Sequence, residues 1–282
     1  MEDKMSFWDH LESLRWTLVR SIGALVVFAI VAFAFMPYLY DNVIMAPTRP
    51  DFFLYRYLCT LTSSVPFVPD FCDYTFHVDI INIKLASQFF RHITTSFWLA
   101  LILAFPYLVF EIWRFISPAL YESEKKNIKW VFTFGTVMFF IGCAVGYSLV
   151  FPITLRFLSG YELSASIVNQ ISLDSYMDNF LMLVFIMGVV FELPLVAWLL
   201  SQFGLLDKTF FKKYRRHAIV ALLVVSAFIT PSGDPFTLSV VFIPLYFLFE
   251  LSSFFVKPPK QIKEDEENED EPAELQIEEG EK

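Results

Sequence analysis

Three carboxylates stand inside long apolar runs of this sequence, at Glu111, Glu192 and Glu250. An ionised side chain at membrane depth is costly, so such a group usually faces protein or water and usually serves binding or ion coupling. Glu192 is the clearest case, because it lies in the interior of its run and two residues before Pro194, whose ring bends a helix. A neutral Glu192 hydrogen-bonded to another helix is the alternative. Glu111 and Glu250 lie nearer the ends of their runs, where headgroups or water can solvate them.

Residues typical of enzymes and metal sites are not grouped in this sequence. None of the four histidines has a cysteine, a carboxylate or another histidine at the spacing of metal ligands. The sequence also has no nucleophile elbow, P-loop or dinucleotide fingerprint. We therefore expect neither catalysis, nor a metal, nor a cofactor. Cys59 and Cys72 share one predicted outer loop, where a bacterial periplasm permits a disulfide. Two free thiols are the alternative.

Composition indicates that lipid is the solvent of most of this chain. The 282 residues are 56% apolar and 18% aromatic, with a mean hydropathy of +0.54, against about 45–50% apolar in soluble domains. The net charge of -9 is concentrated in the segment 264–281, which holds 11 of the 30 acidic residues. The sequence shows no basic stripe with interleaved aromatics, so nucleic-acid binding has no support.

The apolar residues fall in separated runs, most of them near the 20 residues or so that a helix needs to cross a bilayer. They predict an all-α polytopic membrane protein with six transmembrane helices, of which the last two are short: 16–36, 96–116, 130–150, 177–200, 218–230 and 236–256. The run 218–230 has only 13 residues, about 20 Å of helix. In the third run, Gly142 and Gly146 have the spacing of closely packed helices, which also arises by chance.

Basic residues in short loops predict the orientation, because they favour the cytoplasmic side. The segment 122–129 holds three lysines and the segment 207–216, interpreted as a loop, holds five basic residues including the pair Arg215–Arg216. Both are predicted to be cytoplasmic. Six spans then place the N-terminal segment 1–15 and the tail 257–282 on that side. The tail has no aromatic residue and is predicted to be disordered.

Six short motifs recur in the order found in one family of membrane proteins, within residues 6–256. They are His10-Leu-Glu-Ser-Leu-Arg15, Ala46-Pro47, Phe115-Ile-Ser-Pro-Ala-Leu-Tyr-Glu-Ser-Glu124, Phe191-Glu-Leu-Pro194, Thr230-Pro231 with Asp234, and Leu248-Phe-Glu250. The stretch from Phe115 to Glu124 is the most specific of them. On these motifs the sequence resembles the TatC family, the polytopic subunit of the twin-arginine protein translocase.

The resemblance implies a six-helix, cup-shaped receptor in the bacterial inner membrane. Such a receptor recognises the paired arginines of signal peptides on folded substrates at the cytoplasmic face. It works in an oligomeric assembly with single-span partner subunits and uses the proton-motive force. The family's signal-binding positions fall on Glu124 and Phe115. A carboxylate suits this task, since it accepts two hydrogen bonds from a planar guanidinium.

Further positions carry over with one departure from the family pattern. The family usually has an acid immediately before Leu-Arg, where this chain has Ser13 and places Glu12 one residue earlier. Glu12 is therefore a third expected signal contact. Glu192 falls on the intramembrane polar site that contacts a partner helix. Other functionally important positions fall on Pro47, Pro106 and Asp234. The outer loop 51–93 is longer than the family usually has, and the sequence suggests no role for the extra length.

Two other classes of function remain open from the residues alone. An ion-coupled secondary transporter also uses membrane carboxylates, but it predicts internal repeats with broken helices in matching places, and the sequence shows no convincing repeat. In a purely structural scaffold subunit, Glu124 would have no binding role. The resemblance favours the receptor over both.

Overall fold

The computed structural model describes residues 7–62, 78–116, 128–161, 163–164, 166, 169–202, 204–230 and 233–256. These residues are predominantly helical, which confirms the all-α fold class. The helices are α1 (Phe7–Leu39), α2 (Phe53–Thr62), α3 (Ser87–Ile116), α4 (Ile128–Val145), α5 (Phe151–Gly160), α6 (Leu173–Val190), α7 (Leu193–Gln202), α8 (Lys208–Ile229) and α9 (Pro235–Phe255).

Short irregular elements extend or join these helices. A π-helical turn, Tyr40–Ile44, and a 3-10 turn, Ala46–Thr48, follow α1, and a second π-helical turn, Gly146–Val150, joins α4 to α5. Two parallel strands of two residues each, β1 (Ile80–Ile81) and β2 (Ile171–Ser172), pair with Ile80 opposite Ile171. Because β1 and β2 precede α3 and α6, their pairing ties the starts of these two helices together.

Five helical segments of the described chain are long and apolar enough to cross a membrane: His10–Tyr57, Ser87–Phe115, Thr133–Gly160, Leu173–Ser201 and Pro235–Phe255. The predicted sixth span belongs to α8, whose first half is too strongly charged to count among them. Helix α8 has 22 residues and α9 has 21, whereas α1 has 33 and α3 has 30. The last two helices are therefore shorter than these, although α8 is longer than the 13-residue apolar run that predicted it.

The prediction of a loop at 207–216 is wrong, because the helix begins at Lys208. Asp207 caps it: its carboxylate accepts hydrogen bonds from the Thr209 hydroxyl at 2.6 Å and from the Phe210 N–H at 2.8 Å. These two bonds lower the pKa of the Asp207 carboxyl below its usual range. Such a cap satisfies a backbone donor that the first helical turn leaves unpaired. The pair Arg215–Arg216 accordingly lies on a helix surface.

Ring contacts between neighbouring helices show which helix ends lie together. At one end of the bundle, which we call the N-terminal face, His10 stacks on Phe115 with centroids 4.3 Å apart, and Phe134 lies 5.6 Å from Phe255. At the other end, the opposite face, the close pairs are Phe33 with His92 at 3.9 Å and Phe157 with Phe236 at 3.7 Å. Helix α1 is therefore antiparallel to α3.

The central packing of the bundle depends on glycines where α4 meets α6. A Cβ placed on Gly142 would lie 2.5 Å from the carbonyl oxygen of Met187, and one on Gly188 would lie 2.6 Å from the sulfur of Cys143. Cβ atoms essentially never approach other atoms this closely. Gly146 is also tightly packed one turn further on, although less so, with a Cβ position 3.0 Å from Met187 Cβ. The close packing suggested by the Gly142–Gly146 spacing is therefore present.

Candidate functional site

The start of α1 and the end of α3 meet at the N-terminal face. The His10 ring stacks on Phe115 at an interplanar angle of 28°, so the predicted signal-binding Phe115 is held by α1. Glu12 lies two residues after His10, which is about 200° around the helix. Its carboxylate accepts a hydrogen bond from Trp16 Nε1 at 2.8 Å and lies 3.6 Å from Arg15. The structure therefore does not bring Glu12 together with Phe115.

Glu111 lies in a buried ion pair, which corrects the expectation that headgroups or water solvate it. Its side chain is 2% exposed, and both carboxylate oxygens accept hydrogen bonds from Arg20 Nε at 3.0 Å. The hydroxyl of Tyr107 donates a third at 3.0 Å. Opposite charges near the same end of two consecutive spans were the signal that could have indicated the pair.

Glu250 also binds an arginine of this chain, where the sequence suggested solvation by headgroups or water. Arg215 Nη2 on α8 donates to its carboxylate at 2.7 Å, and the Tyr246 hydroxyl donates at 2.8 Å. The side chain of Glu250 is 26% exposed and that of Arg215 55%. Both predicted helix-end carboxylates therefore hold neighbouring helices together.

The fourth span is interrupted at Glu192, where the sequence predicted a bend from Pro194. Helix α6 ends at Val190 and α7 begins at Leu193, with Phe191 and Glu192 in a turn between them. Pro194 has no N–H with which to continue the backbone hydrogen bonds of the helix. The Glu192 side chain packs against α4: a Cβ on Gly135 would lie 3.2 Å from Glu192 Oε2. Its Oε1 atom is buried without a hydrogen-bond partner among the described residues.

Two predicted positions of the opposite face have structural contacts there. The backbone carbonyl of Pro47 accepts a hydrogen bond from the Tyr55 hydroxyl at 2.7 Å, and Tyr55 is 1% exposed. Asp234 caps α9, accepting a hydrogen bond from the Thr237 N–H at 2.7 Å. Both contacts fix the chain where it turns between helices. Neither shows a ligand.

The remaining predicted positions fall in three places. Pro106 lies inside α3, which continues through it to Ile116. Cys59 in α2 is disulfide-bonded and Cys143 is a free, buried thiol. Glu124 and Cys72 lie outside the described residues. Among the residues that the structure describes, no group of three or more His, Cys, Asp and Glu side chains could hold a metal ion.

Comparisons with known proteins agree with this architecture. A family model described as "Sec-independent protein translocase protein (TatC)" matches residues 9–244. A relative of that name from Blattabacterium is 31% identical, covering 92% of this chain and 98% of the relative. Another, from Deinococcus radiodurans, is 31% identical over 86% of this chain and 83% of the relative.

Two solved structures have the same fold. A crystal structure titled "Twin Arginine Translocase Receptor- TatC in DDM" matches with a TM-score of 0.70 and 29% identity, over 88% of this chain and 99% of that one. A second crystal structure of the same receptor has a TM-score of 0.67 at 29% identity, over 87% of this chain and 97% of that one. The matched family model, the relatives and the shared arrangement of helices show that this chain belongs to the TatC family of Sec-independent protein translocase proteins.

Proposed function

We propose that this protein is the signal-peptide receptor and core subunit of a twin-arginine translocase in a bacterial inner membrane. It recognises paired arginines on folded substrates and exports these proteins with the proton-motive force. Family membership supports this function, and the solved relatives carry the word receptor in their titles. An ion-coupled transporter, the alternative from sequence, gains no support from these relatives.

The observation that carries the receptor function is the position of Phe115 at the N-terminal face. Helix α3 brings this ring to the face, and the His10 ring of α1 stacks against it. Glu124 follows nine residues later in the same sequence motif. We assign the apolar part of a signal peptide to Phe115 and its arginine pair to Glu124, whose carboxylate can accept two hydrogen bonds from a guanidinium.

Other carboxylates of this region are less suited to a signal peptide. Glu111 and Glu250 already bind Arg20 and Arg215 of this chain. Glu12 points to a different side of α1 from the His10–Phe115 stack. The proposal therefore assigns the arginine pair to Glu124 rather than to Glu12.

The basic residues support a cytoplasmic N-terminal face, with both chain ends on that side. The first half of α8 places five exposed basic side chains there: Lys208, Lys212, Lys213, Arg215 and Arg216. At the opposite face, Arg91 binds Asp174 at 2.8 Å and Lys84 binds Asp174 at 2.9 Å. The excess of basic side chains is thus at the N-terminal face, as expected for the cytoplasmic side.

Glu192 is the proposed contact for a single-span partner subunit. Its Oε1 atom is buried without a hydrogen-bond partner among the described residues, and an unsatisfied buried polar atom is unfavourable. A polar donor on a partner helix would satisfy it. A cysteine at position 192 is expected to form crosslinks with a partner span during transport, and a cysteine at the exposed position Val26 is the control. Equal crosslinking from both positions would contradict this assignment.

The receptor function is tested by binding of a peptide that bears paired arginines. Glu124→Lys is expected to reduce the affinity for the peptide at least tenfold, because it replaces a hydrogen-bond acceptor with a positive charge that repels the peptide's arginines. Glu122→Lys, in the same segment and with the same change of charge, is the matched control and is expected to bind as the parent does. The melting temperature of each detergent-purified variant reports whether it is folded. Undiminished binding by folded Glu124→Lys would overturn the proposal.

A further inference from the structure

Two cavities between the helices meet at Thr95 of α3. A cavity of about 480 Å³ with a mixed polar and apolar lining opens near the opposite face, and Asp41, Arg91 and His92 are among its lining residues. An apolar cavity of about 310 Å³ lies beside it, with Leu99, one turn further along α3, in its wall. Thr95 lines both of them. The pair of cavities therefore runs from the membrane interface into the apolar depth.

Thr95 marks the junction with an unsatisfied polar group. The residue is 3% exposed, and its hydroxyl oxygen has no hydrogen-bond partner among the described residues. A buried hydroxyl without a partner is unfavourable, and because this oxygen has under 1 Å² of accessible surface, an acceptor in the cavities reaches it only after the Thr95 side chain rotates. A phospholipid has ester carbonyl oxygens at the corresponding place, between its polar headgroup and its acyl chains.

The deeper cavity suits a hydrocarbon chain. Its walls are almost wholly apolar, with Leu99, Ile102, Phe140 and Val184 among the lining side chains. A molecule that is charged at one end and apolar at the other matches the two cavities together. A phospholipid, with a lipid acyl chain in the deeper cavity, has this chemistry.

The charges around the outer cavity favour a headgroup that is itself uncharged overall. Asp41 and Arg91 line this cavity, and Asp174, Asp178, Lys84 and Arg49 are connected to these two through ion pairs or a hydrogen bond. Arg91 binds two of the carboxylates, and Lys84 binds one of the same two. Arg49 donates to the backbone carbonyl of Asp41 at 3.0 Å, while the Asp41 carboxylate makes no ion pair within the described part of the chain.

We propose that these joined cavities form a binding site for one phospholipid with a zwitterionic, amine-bearing headgroup. Its ammonium group binds the Asp41 carboxylate and its phosphate lies beside Arg49. An ester carbonyl lies beside Thr95, and one acyl chain fills the apolar cavity. An anionic headgroup without an amine would leave Asp41 unpaired. The site lies at the opposite face and does not depend on the proposed signal-peptide contact.

The proposal is tested with the full chain in vesicles of equimolar phosphatidylethanolamine and phosphatidylglycerol. The protein is extracted in mild detergent, and native mass spectrometry counts the lipids that stay bound. We expect one retained phosphatidylethanolamine, enriched at least fivefold over phosphatidylglycerol. No retained lipid, or equal retention of the two, would overturn the proposal without any use of a variant.

Matched variants locate the retained lipid. Ala144 lines the apolar cavity, so Ala144→Phe should reduce lipid retention at least fivefold by filling it. Ala34, exposed on α1 and outside both cavities, provides the control Ala34→Phe, with retention as in the parent. Asp41→Asn should abolish the preference for phosphatidylethanolamine. Parental retention by Ala144→Phe would contradict the assignment of the site.

A photoreactive residue at position 99 distinguishes a lipid from a protein occupant. Illumination in the same vesicles should add the mass of one phospholipid to the chain. Crosslinking of position 99 to a second polypeptide instead would show that a partner segment fills the cavity and would overturn the lipid assignment.

Discussion

Replacing Gly142 with alanine is expected to destabilise the bundle by forcing α4 away from α6. The new methyl group would lie 2.5 Å from the carbonyl oxygen of Met187 and 2.7 Å from Cβ of Phe191. Normal contacts between carbon atoms are about 3.5–4.0 Å, so the two helices must separate by about 1 Å. A radial gap of this size already removes a quarter to a half of the dispersion energy of each contact.

Overpacking of this kind costs about 1–3 kcal/mol. At roughly 2–4 °C per kcal/mol, Gly142→Ala should lower the melting temperature of the detergent-purified protein by several degrees. Gly23 provides the matched control, because it lies in α1 with no atom within 4 Å of its Cβ position. Gly23→Ala should be neutral or stabilising by up to about 1 kcal/mol. Equal melting temperatures for the two variants would refute this account of the interface.

Three more predictions concern ion pairing, pH and redox state. Arg20→Gln and Glu111→Gln should each lower the melting temperature, and the double variant should lose less than the sum of the two; additive losses would contradict the pair. The Asp207 carboxyl has a lowered pKa in the folded protein. Its stabilisation of the start of α8 should therefore be complete above its usual pKa of 3.8 and should disappear as the pH falls through the lower folded value. Hydrogen exchange at α8 that is equally fast in Asp207→Ala and the parent at pH 7 would show that the cap does not act. Cys59 and Cys72 should form a disulfide, so alkylation of both without a reductant in peptide mapping would exclude it.

Much of the helix arrangement could be predicted from sequence, because lipid imposes long apolar segments. The interruption at Glu192 followed from Pro194, which cannot donate the hydrogen bond that a continuous helix requires. The start of α8 was missed because its first residues are charged and hydropathy cannot detect them. Asp207 supplied the missing signal, since an aspartate before a helical segment caps its first turn.

The contacts between side chains of different helices were harder to predict from the sequence. Glu111 and Arg20 are 91 positions apart, and their contact depends on how α1 and α3 are rotated against each other. Apolar periodicity is weak in helices that face lipid and protein at once, so this rotation is not encoded in a simple pattern. The same rotation separates Glu12 from Phe115, although both belong to motifs that suggested one binding site.

The most direct measurement of the receptor function is a photocrosslink from position 115. A photoreactive phenylalanine analogue replaces Phe115, and membrane vesicles that contain this variant and its partner subunits receive a substrate with a paired-arginine signal peptide. We expect a crosslink to the signal peptide that disappears when both signal arginines are changed to lysine. A crosslink of equal strength to the lysine signal, or none to the arginine signal, would contradict it.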